Sequence, residues 1–344
     1  MKPVLPLLCF SALVANEELA TAYDSGTSYR VARETRISME TTEFSFERDG
    51  EPMDRGGFGG GGGTESSKTI VILDQVVEAL DGHPAEVHRT FEQVEGTASM
   101  FGNDMTLDSP LAGKTLELTL EGDEVVVELA DGESVDDDAL LEGHRLTLAL
   151  DALLPEESIA AGDTWEIEGE ALLHALGLDV EQKLFERPEP PEFGGGRGGG
   201  GGRGRGRGGR GGSDSSTLFA QAEWDVTATL LERTEELAGE ECLVISIEAE
   251  GSGEVEAPAR RGGSREFAPR TGSSNSRPMR GTEFTIELEG ELFFSSRASR
   301  PVQLEVEAEI EVRTDNEFQR GDSVMRMKRT QEGTLEQTVT VTGA

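Results

Sequence analysis

Residues 302–312 read Val-Gln-Leu-Glu-Val-Glu-Ala-Glu-Ile-Glu-Val. Every second side chain is apolar, and those between are Gln303, Glu305, Glu307, Glu309 and Glu311. Successive side chains of a strand point to opposite faces, so this period buries one face of a β-strand and wets the other. Residues 283–294, Glu-Phe-Thr-Ile-Glu-Leu-Glu-Gly-Glu-Leu-Phe-Phe, alternate in the same way. The linking stretch Ser295-Ser296-Arg297-Ala298-Ser299-Arg300-Pro301 is short and polar, which predicts a long antiparallel hairpin.

The same alternation recurs along the chain. Leu116, Leu118 and Leu120 run into Glu121-Gly122-Asp123-Glu124, followed by Val125, Val127 and Leu129, a second hairpin closed by Asp131-Gly132. Further strands are expected at 28–47, 68–74, 85–94, 222–232, 242–250, 322–331 and 333–342. Helix is sparse: Leu140–Leu154 carries Leu at near-helical spacing and stops at Pro155, and Glu170–Leu176 stops at Gly177. The expected fold class is mostly β, with antiparallel sheets and two or three short helices. The periodicity leaves closed barrel, curved half-barrel and sandwich open. Antiparallel sheets commonly leave one face to solvent, which suits the glutamate rows.

Those rows need electrostatic relief. Same-face neighbours along a strand are about 6.6 Å apart, and like charges directly opposed across a strand pair are destabilising. Bulk cations, a bridging divalent metal or a basic neighbouring strand would each provide relief. Residues 324–329, Val-Met-Arg-Met-Lys-Arg, put Arg326 and Lys328 on one face, predicting a salt-bridge ladder beside Glu305–Glu311. Plain solvated carboxylates are the competing expectation.

Composition bounds the function. The 344 residues carry 31 Lys+Arg against 68 Asp+Glu, a net charge of −37, so the bulk of the chain is not a general phosphate binder. Hydrophobic residues make up 35%, a modest share for a globular chain. Only five of the 31 basic residues are Lys, a bias that a salty environment or GC-rich coding would each produce.

The N-terminus has the form of a secretory signal over residues 1–22, with Lys2 followed by an apolar stretch from Val4 to Ala15. This stretch is shorter than the roughly 20 residues a membrane span requires. Cleavage is expected after Ala15 or after Ala20-Thr21-Ala22, which has the A-x-A form; lipidation at Cys9 is disfavoured because Leu8, not a small residue, precedes it. Cleavage leaves one cysteine, Cys242, in the strand-like run Glu-Cys-Leu-Val-Ile-Ser-Ile, expected to be a buried inert thiol. An exported chain, periplasmic or extracellular, with no transmembrane segment once mature is the expectation.

Two glycine tracts punctuate the chain. Residues 55–63 read RGGFGGGGG, and residues 194–212 hold fourteen Gly and five Arg. Neither can bury a core. The expected organisation is a β-rich first half at 23–193, an Arg/Gly linker at 194–212 and a β-rich second half at 213–344 with a long loop at 258–280, the halves forming one fold. The Arg/Gly tract has the composition of RNA-binding segments. A linker role is preferred, because the tract lacks an aromatic for base stacking and the rest of the chain carries −42. No nucleic-acid partner is expected.

Motif chemistry is absent. His83, His88, His144 and His174 form no zinc pattern. No G-x-S-x-G occurs. Gly113-Lys114-Thr115 resembles a P-loop tail, but Asp108 stands where the first Gly belongs, and a strand follows. Asp131–Glu142 has acids at several EF-hand positions, yet Asp136 replaces the turn Gly and Val135 a ligand; Asp136-Asp137-Asp138 reads better as an acidic helix start. Trp165 and Trp224 are expected in the core. No catalytic, cofactor or metal residues are assigned.

The stretch 153–165, Leu-Leu-Pro-Glu-Glu-Ser-Ile-Ala-Ala-Gly-Asp-Thr-Trp, resembles the "LP…GDTW" segment of a family of bacterial secreted proteins of unknown function. Ser109–Lys114 with the following strand, turn and Asp131-Gly132, and Gly290–Ser295, fit the same pattern. The resemblance covers roughly 85–312 outside the glycine tracts. It implies a β-rich exported protein and carries over no catalytic residue. The functional expectation is a non-catalytic envelope protein that binds an apolar ligand or a partner. An envelope hydrolase with a motif-less acidic site and divalent-cation capture by the acidic faces are the alternatives.

Overall fold

The computed structural model describes residues 17–53, 63–100, 103–132, 134–135, 137–185, 215–237, 239–255, 281–320 and 323–344. Thirteen strands form one antiparallel sheet. They are β1 (Ser28–Arg48), β2 (Glu51–Pro52), β3 (Thr64–Leu80), β4 (His83–Met100), β5 (Asn103–Leu107), β6 (Thr115–Glu121), β7 (Glu124–Leu129), β8 (Thr164–Glu166), β9 (Glu223–Leu237), β10 (Glu240–Val255), β11 (Thr282–Ser295), β12 (Arg300–Arg320) and β13 (Ser323–Gly343). Three short helices accompany them: α1 (Gly169–Leu176), α2 (Leu178–Leu184) and α3 (Ser215–Gln221).

The strand order is β7-β6-β4-β3-β1-β13-β12-β11-β10-β9-β8, with β2 beside β1 and β5 beside β4. The terminal strands β7 and β8 do not pair with each other, so the sheet is open. It is neither a closed barrel nor a two-sheet sandwich. Strands from both sides of residues 194–212 join this one sheet, with β1 pairing β13 along almost its whole length.

The predicted 283–294/302–312 hairpin is β11 and β12, with Ile286 opposite Ile310 and Leu288 opposite Ala308. The second hairpin, β6–β7, turns at Gly122-Asp123, and Asp131-Gly132 forms part of a single 3₁₀ turn just after it. Where two strands were expected at 322–331 and 333–342, β13 runs unbroken; Gly333 sits mid-strand opposite Met39 and Ile310.

One face of the sheet is covered. Its side chains include Ile37 (β1), Ile70 (β3), Val87 and Phe91 (β4), Val226 (β9), Ile247 (β10), Ile286 (β11), Leu304 (β12) and Val339 (β13), all buried. Against them packs the segment from 138 to 185 with α3, through Leu140, Leu148, Leu150, Leu153, Leu172, Leu176, Leu178 and Phe219. Trp165 and Trp224 lie half-buried at the edge of this core, their indole N–H groups donating to the carbonyls of Leu153 (3.1 Å) and Phe219 (3.0 Å).

The cover departs from the expected helix at 140–154. Two 3₁₀ turns, Asp138–Leu141 and Ala149–Leu153, replace it. Gly143 at φ 85° stops the first. Between them His144, Leu146 and Leu148 are buried, so the leucines here follow the two-residue period of extended chain. The Leu148 N–H is also committed elsewhere, donating to the Tyr23 hydroxyl at 2.7 Å. The helix expected at 170–176 forms as α1, and Gly177 caps it in the left-handed region at φ 63°.

The tract 194–212, the loop 258–280 and nearly all of 55–63 lie outside the described residues, as do 1–16 with Cys9.

Candidate functional site

The uncovered face is built from cross-strand rows that the register defines. One row runs Ser99–Glu65–Ser38–Thr334–Glu309–Glu287–Glu250 from β4 to β10. The next runs Glu248–Glu289–Glu307–Glu336–Arg36–Ser67, and a third holds Glu291, Glu305 and Glu34. On the far side of the first row, Glu311, Glu332 and Glu40 stand side by side on β12, β13 and β1. Glutamates therefore face glutamates directly at 248/289, 250/287, 287/309, 289/307, 291/305, 307/336, 311/332 and 332/40.

The predicted ladder is corrected here. Arg326 and Lys328 lie on the same face as Glu307, but the β12–β13 register sets them opposite Glu317 and Asp315, beyond the row they were expected to neutralise. Arg326 instead pairs with Asp315 (Nε–Oδ1 2.9 Å). The register runs through β12 and β13 without a bulge, so the residues opposite Arg326 and Lys328, Glu317 and Asp315, lie four to twelve positions along β12 from the Glu305–Glu311 row. Sequence alternation specifies the face; only the register specifies the level.

Among the described residues, relief is sparse. Arg36 lies across from Glu336 and 3.4 Å from Glu65, and is itself 62% exposed. Arg233 on β9 contacts Glu235 and Glu291, and Arg313 pairs with Glu311 at 2.7 Å. No group of three His, Cys, Asp or Glu side chains among the described residues is placed to hold a metal ion. The carboxylates form a lattice rather than a chelating cluster.

This face is dished. A concavity of about 820 Å³ spans six strands and is lined by Glu40, Glu65, Glu287, Glu309, Glu311 and Glu332 with Ser and Thr between them. A second, of about 570 Å³, is lined by Glu248, Glu289, Glu291, Glu305, Glu307 and Glu336. Gly333 and Gly290 lie beneath these hollows, but strand alternation turns their Cβ positions toward the covered face, not into the hollows. A Cβ on Gly333 would run into Met39 and the Ser38 carbonyl, and one on Gly290 would come within 2.7 Å of the Glu305 carbonyl.

Titratable groups also occur on the covered face, where alternation predicted only apolar side chains. Glu181 of α2 is fully buried and accepts from Lys68 Nζ at 2.8 Å and Thr35 Oγ1 at 3.2 Å. The Gln337 amide donates to Thr35 Oγ1 (2.9 Å) and to the Leu176 carbonyl at the end of α1 (3.0 Å). Arg33 lies against Gly177; burial lowers its pKa, opposed by the charges of Glu181 and Asp179. Nearby, Arg89 grips Asp74 with two bonds of 2.8 Å. Burial, then the Arg89 charge, pushes His144 down to about 4. A neutral His144 ring protonated on Nε2 donates to the Leu140 carbonyl at 3.0 Å.

A third polar cluster holds the N-terminal segment. Asp151 accepts from Thr21 Oγ1 at 2.5 Å and from the Tyr23 hydroxyl. Burial pushes its carboxyl up to about 6, outweighing those bonds. Burial and the Asp151 charge raise the Tyr23 phenol.

These three clusters join elements within the core, and neither concavity is lined by their titratable groups. Cys242 is fully buried, its thiol pushed up by burial and directed at the Glu240 carbonyl 3.6 Å away. Among the described residues, the face left open to an external molecule is therefore the glutamate lattice. The alternating strand runs disclosed its charge; the buried Arg33, Lys68, Asp74 and Arg89 gave no such signal, because single basic or acidic residues in alternating strands read as solvent-facing.

Neither a family model nor a curated protein matches the chain. Solved structures offer distant likenesses. A lipovitellin structure concerned with lipid–protein interactions aligns over 93% of this chain at 8% identity and a TM-score of 0.35. This chain spans 26% of that one, about a quarter of its length. An outer-membrane channel from Pseudomonas putida F1 aligns over 95% of this chain and 100% of its own, at 10% identity and a TM-score of 0.21. A FadL homologue from Pseudomonas aeruginosa aligns over 92% and 90%, at 10% identity and a TM-score of 0.19.

Proposed function

We propose that the protein is an exported, non-catalytic binding protein of the cell envelope whose glutamate lattice docks an extended cationic polypeptide. The observation that carries this reading is the direct facing of glutamates across β10, β11, β12, β13 and β1 beneath two concavities of about 820 and 570 Å³. Opposed like charges cost stability unless something neutralises them. A chelated metal does not fit a lattice without a three-ligand cluster. An extended chain with Lys or Arg at every second residue presents charges about 6.6 Å apart, the spacing of the carboxylates along each strand.

The apolar-ligand alternative would use the covered face. Phe91, Leu111, Leu153 and Leu172 are fully buried there, filling the space between sheet and cover with the chain's own side chains.

The test is a titration of the mature protein with a fluorescent peptide of alternating Lys and Thr, against a peptide of alternating Glu and Thr. The Lys peptide is expected to bind with an affinity that falls steeply with salt. The variant E287Q/E289Q/E307Q/E309Q is expected to lose at least tenfold in affinity at low salt while keeping its circular dichroism. Equal binding by wild type and variant would overturn the docking role of the lattice.

A further inference from the structure

The sequence offers two processing sites, after Ala15 and after Ala22, and the second has the better A-x-A form. We infer that the leader ends before Glu17, so that processing follows Ala15 and residues 17–22 belong to the mature fold. This inference rests on the export reading above.

Residues 17–23 make specific contacts with four separate parts of the molecule. Glu17 exchanges two backbone hydrogen bonds with Ile159 in the cover, at 2.7 and 3.0 Å. Leu19 is 3% exposed and belongs to the main core. Thr21 donates to Asp151 at 2.5 Å. The Ala22 N–H donates to the Ser299 carbonyl in the β11–β12 connection (3.3 Å), and the Ala22 carbonyl accepts from the Tyr29 hydroxyl (3.3 Å). The Tyr23 N–H reaches the Gly82 carbonyl in the β3–β4 turn, also at 3.3 Å.

Cleavage after Ala22 would remove the Glu17 bridge, the Leu19 side chain and the Thr21 donor together. Asp151 would keep only Tyr23 as a side-chain partner, in a setting that already disfavours its charge. The new α-ammonium would fall on Tyr23, a residue 5% exposed whose backbone nitrogen is committed to Gly82. A buried charge of that kind is costly unless paired. Cleavage after Ala15 removes none of these contacts. A leader is read by its processing enzyme as an extended chain, so the A-x-A form at 20–22 marks a match to that enzyme's preference without regard to the fold that follows.

The experiment is intact mass and N-terminal sequencing of the protein recovered from the envelope of an exporting host. A chain beginning at Asn16 is the expected result. A chain beginning at Tyr23 overturns the inference and leaves export standing. A chain beginning at Met1 overturns both. Thermal unfolding of two purified forms, one starting at Asn16 and one at Tyr23, provides an independent arm. The shorter form is expected to melt at least about 5 °C lower, and T21V in the longer form is expected to reproduce part of that loss. Equal melting of the two forms would contradict the structural role assigned to residues 17–22.

Discussion

Two carboxylates show how differently this fold treats the same group. Asp151 is held where its neutral form is favoured: its folded pKa of about 6 lies above the ordinary value of 3.8. A raised carboxyl stabilises the fold below about pH 4, and that contribution is lost as pH rises through about 6. That difference corresponds to about 3 kcal/mol. Asp151→Asn keeps an acceptor for Thr21 and cannot ionise. Urea denaturation between pH 4 and 7 should therefore show the variant gaining on the wild type as pH rises; parallel curves would refute the assignment. Glu181 is instead buried as one partner of an ion pair with Lys68. Lys68→Met should leave it without its cation and cost about 3–5 kcal/mol. The double variant Lys68→Met/Glu181→Met should recover part of that loss, because a buried pair can be replaced by packing at little net cost, while the buried Arg33 loses the opposing charge of Glu181. If the double variant is no more stable than the single one, the two side chains are not coupled.

At the level of single elements, strand identity was legible because alternation is local. β11 and β12 follow from residues 283–312 alone, and Gly177 marked the end of α1 for the steric reason that made it a candidate. Level along a strand was not legible, since it depends on which residues a partner places opposite. Arg326 and Lys328 illustrate this: right face, wrong level. The 140–154 segment illustrates a second limit. Its leucines fit both periods over a short window, and what decided between them was a contact to Tyr23, more than a hundred residues away. The lattice leads to an element-scale prediction. Glu307 has Glu289 on one side and Glu336 on the other. Glu307→Lys should raise the melting temperature at low salt, by an amount matching about 0.2–1 kcal/mol for each pair relieved. The gain should shrink as salt screens the wild type. A gain that persists unchanged at high salt would mean that repulsion was not its cause.

Across the whole molecule, the two faces of one open sheet have opposite assignments. The covered face holds the core and three polar clusters that tie cover, helices and N-terminal segment to the strands. The other face gathers glutamates from six strands, a surface whose charge no single segment of sequence displays. The composition announced the acidity, but the concavity arises only when β1 and β13, at opposite ends of the chain, pair between β3 and β12. Docking of a cationic chain on this face is the central claim, and zero-length carbodiimide cross-linking tests it most directly. The alternating Lys/Thr peptide, coupled to the mature protein at low salt and mapped by mass spectrometry, should join Glu287, Glu289, Glu307, Glu309 and Glu332, with little coupling to exposed acids off the lattice such as Glu156 and Glu157. Cross-links spread evenly over the exposed acids would show that the lattice is no more than a solvated face, and would contradict the account.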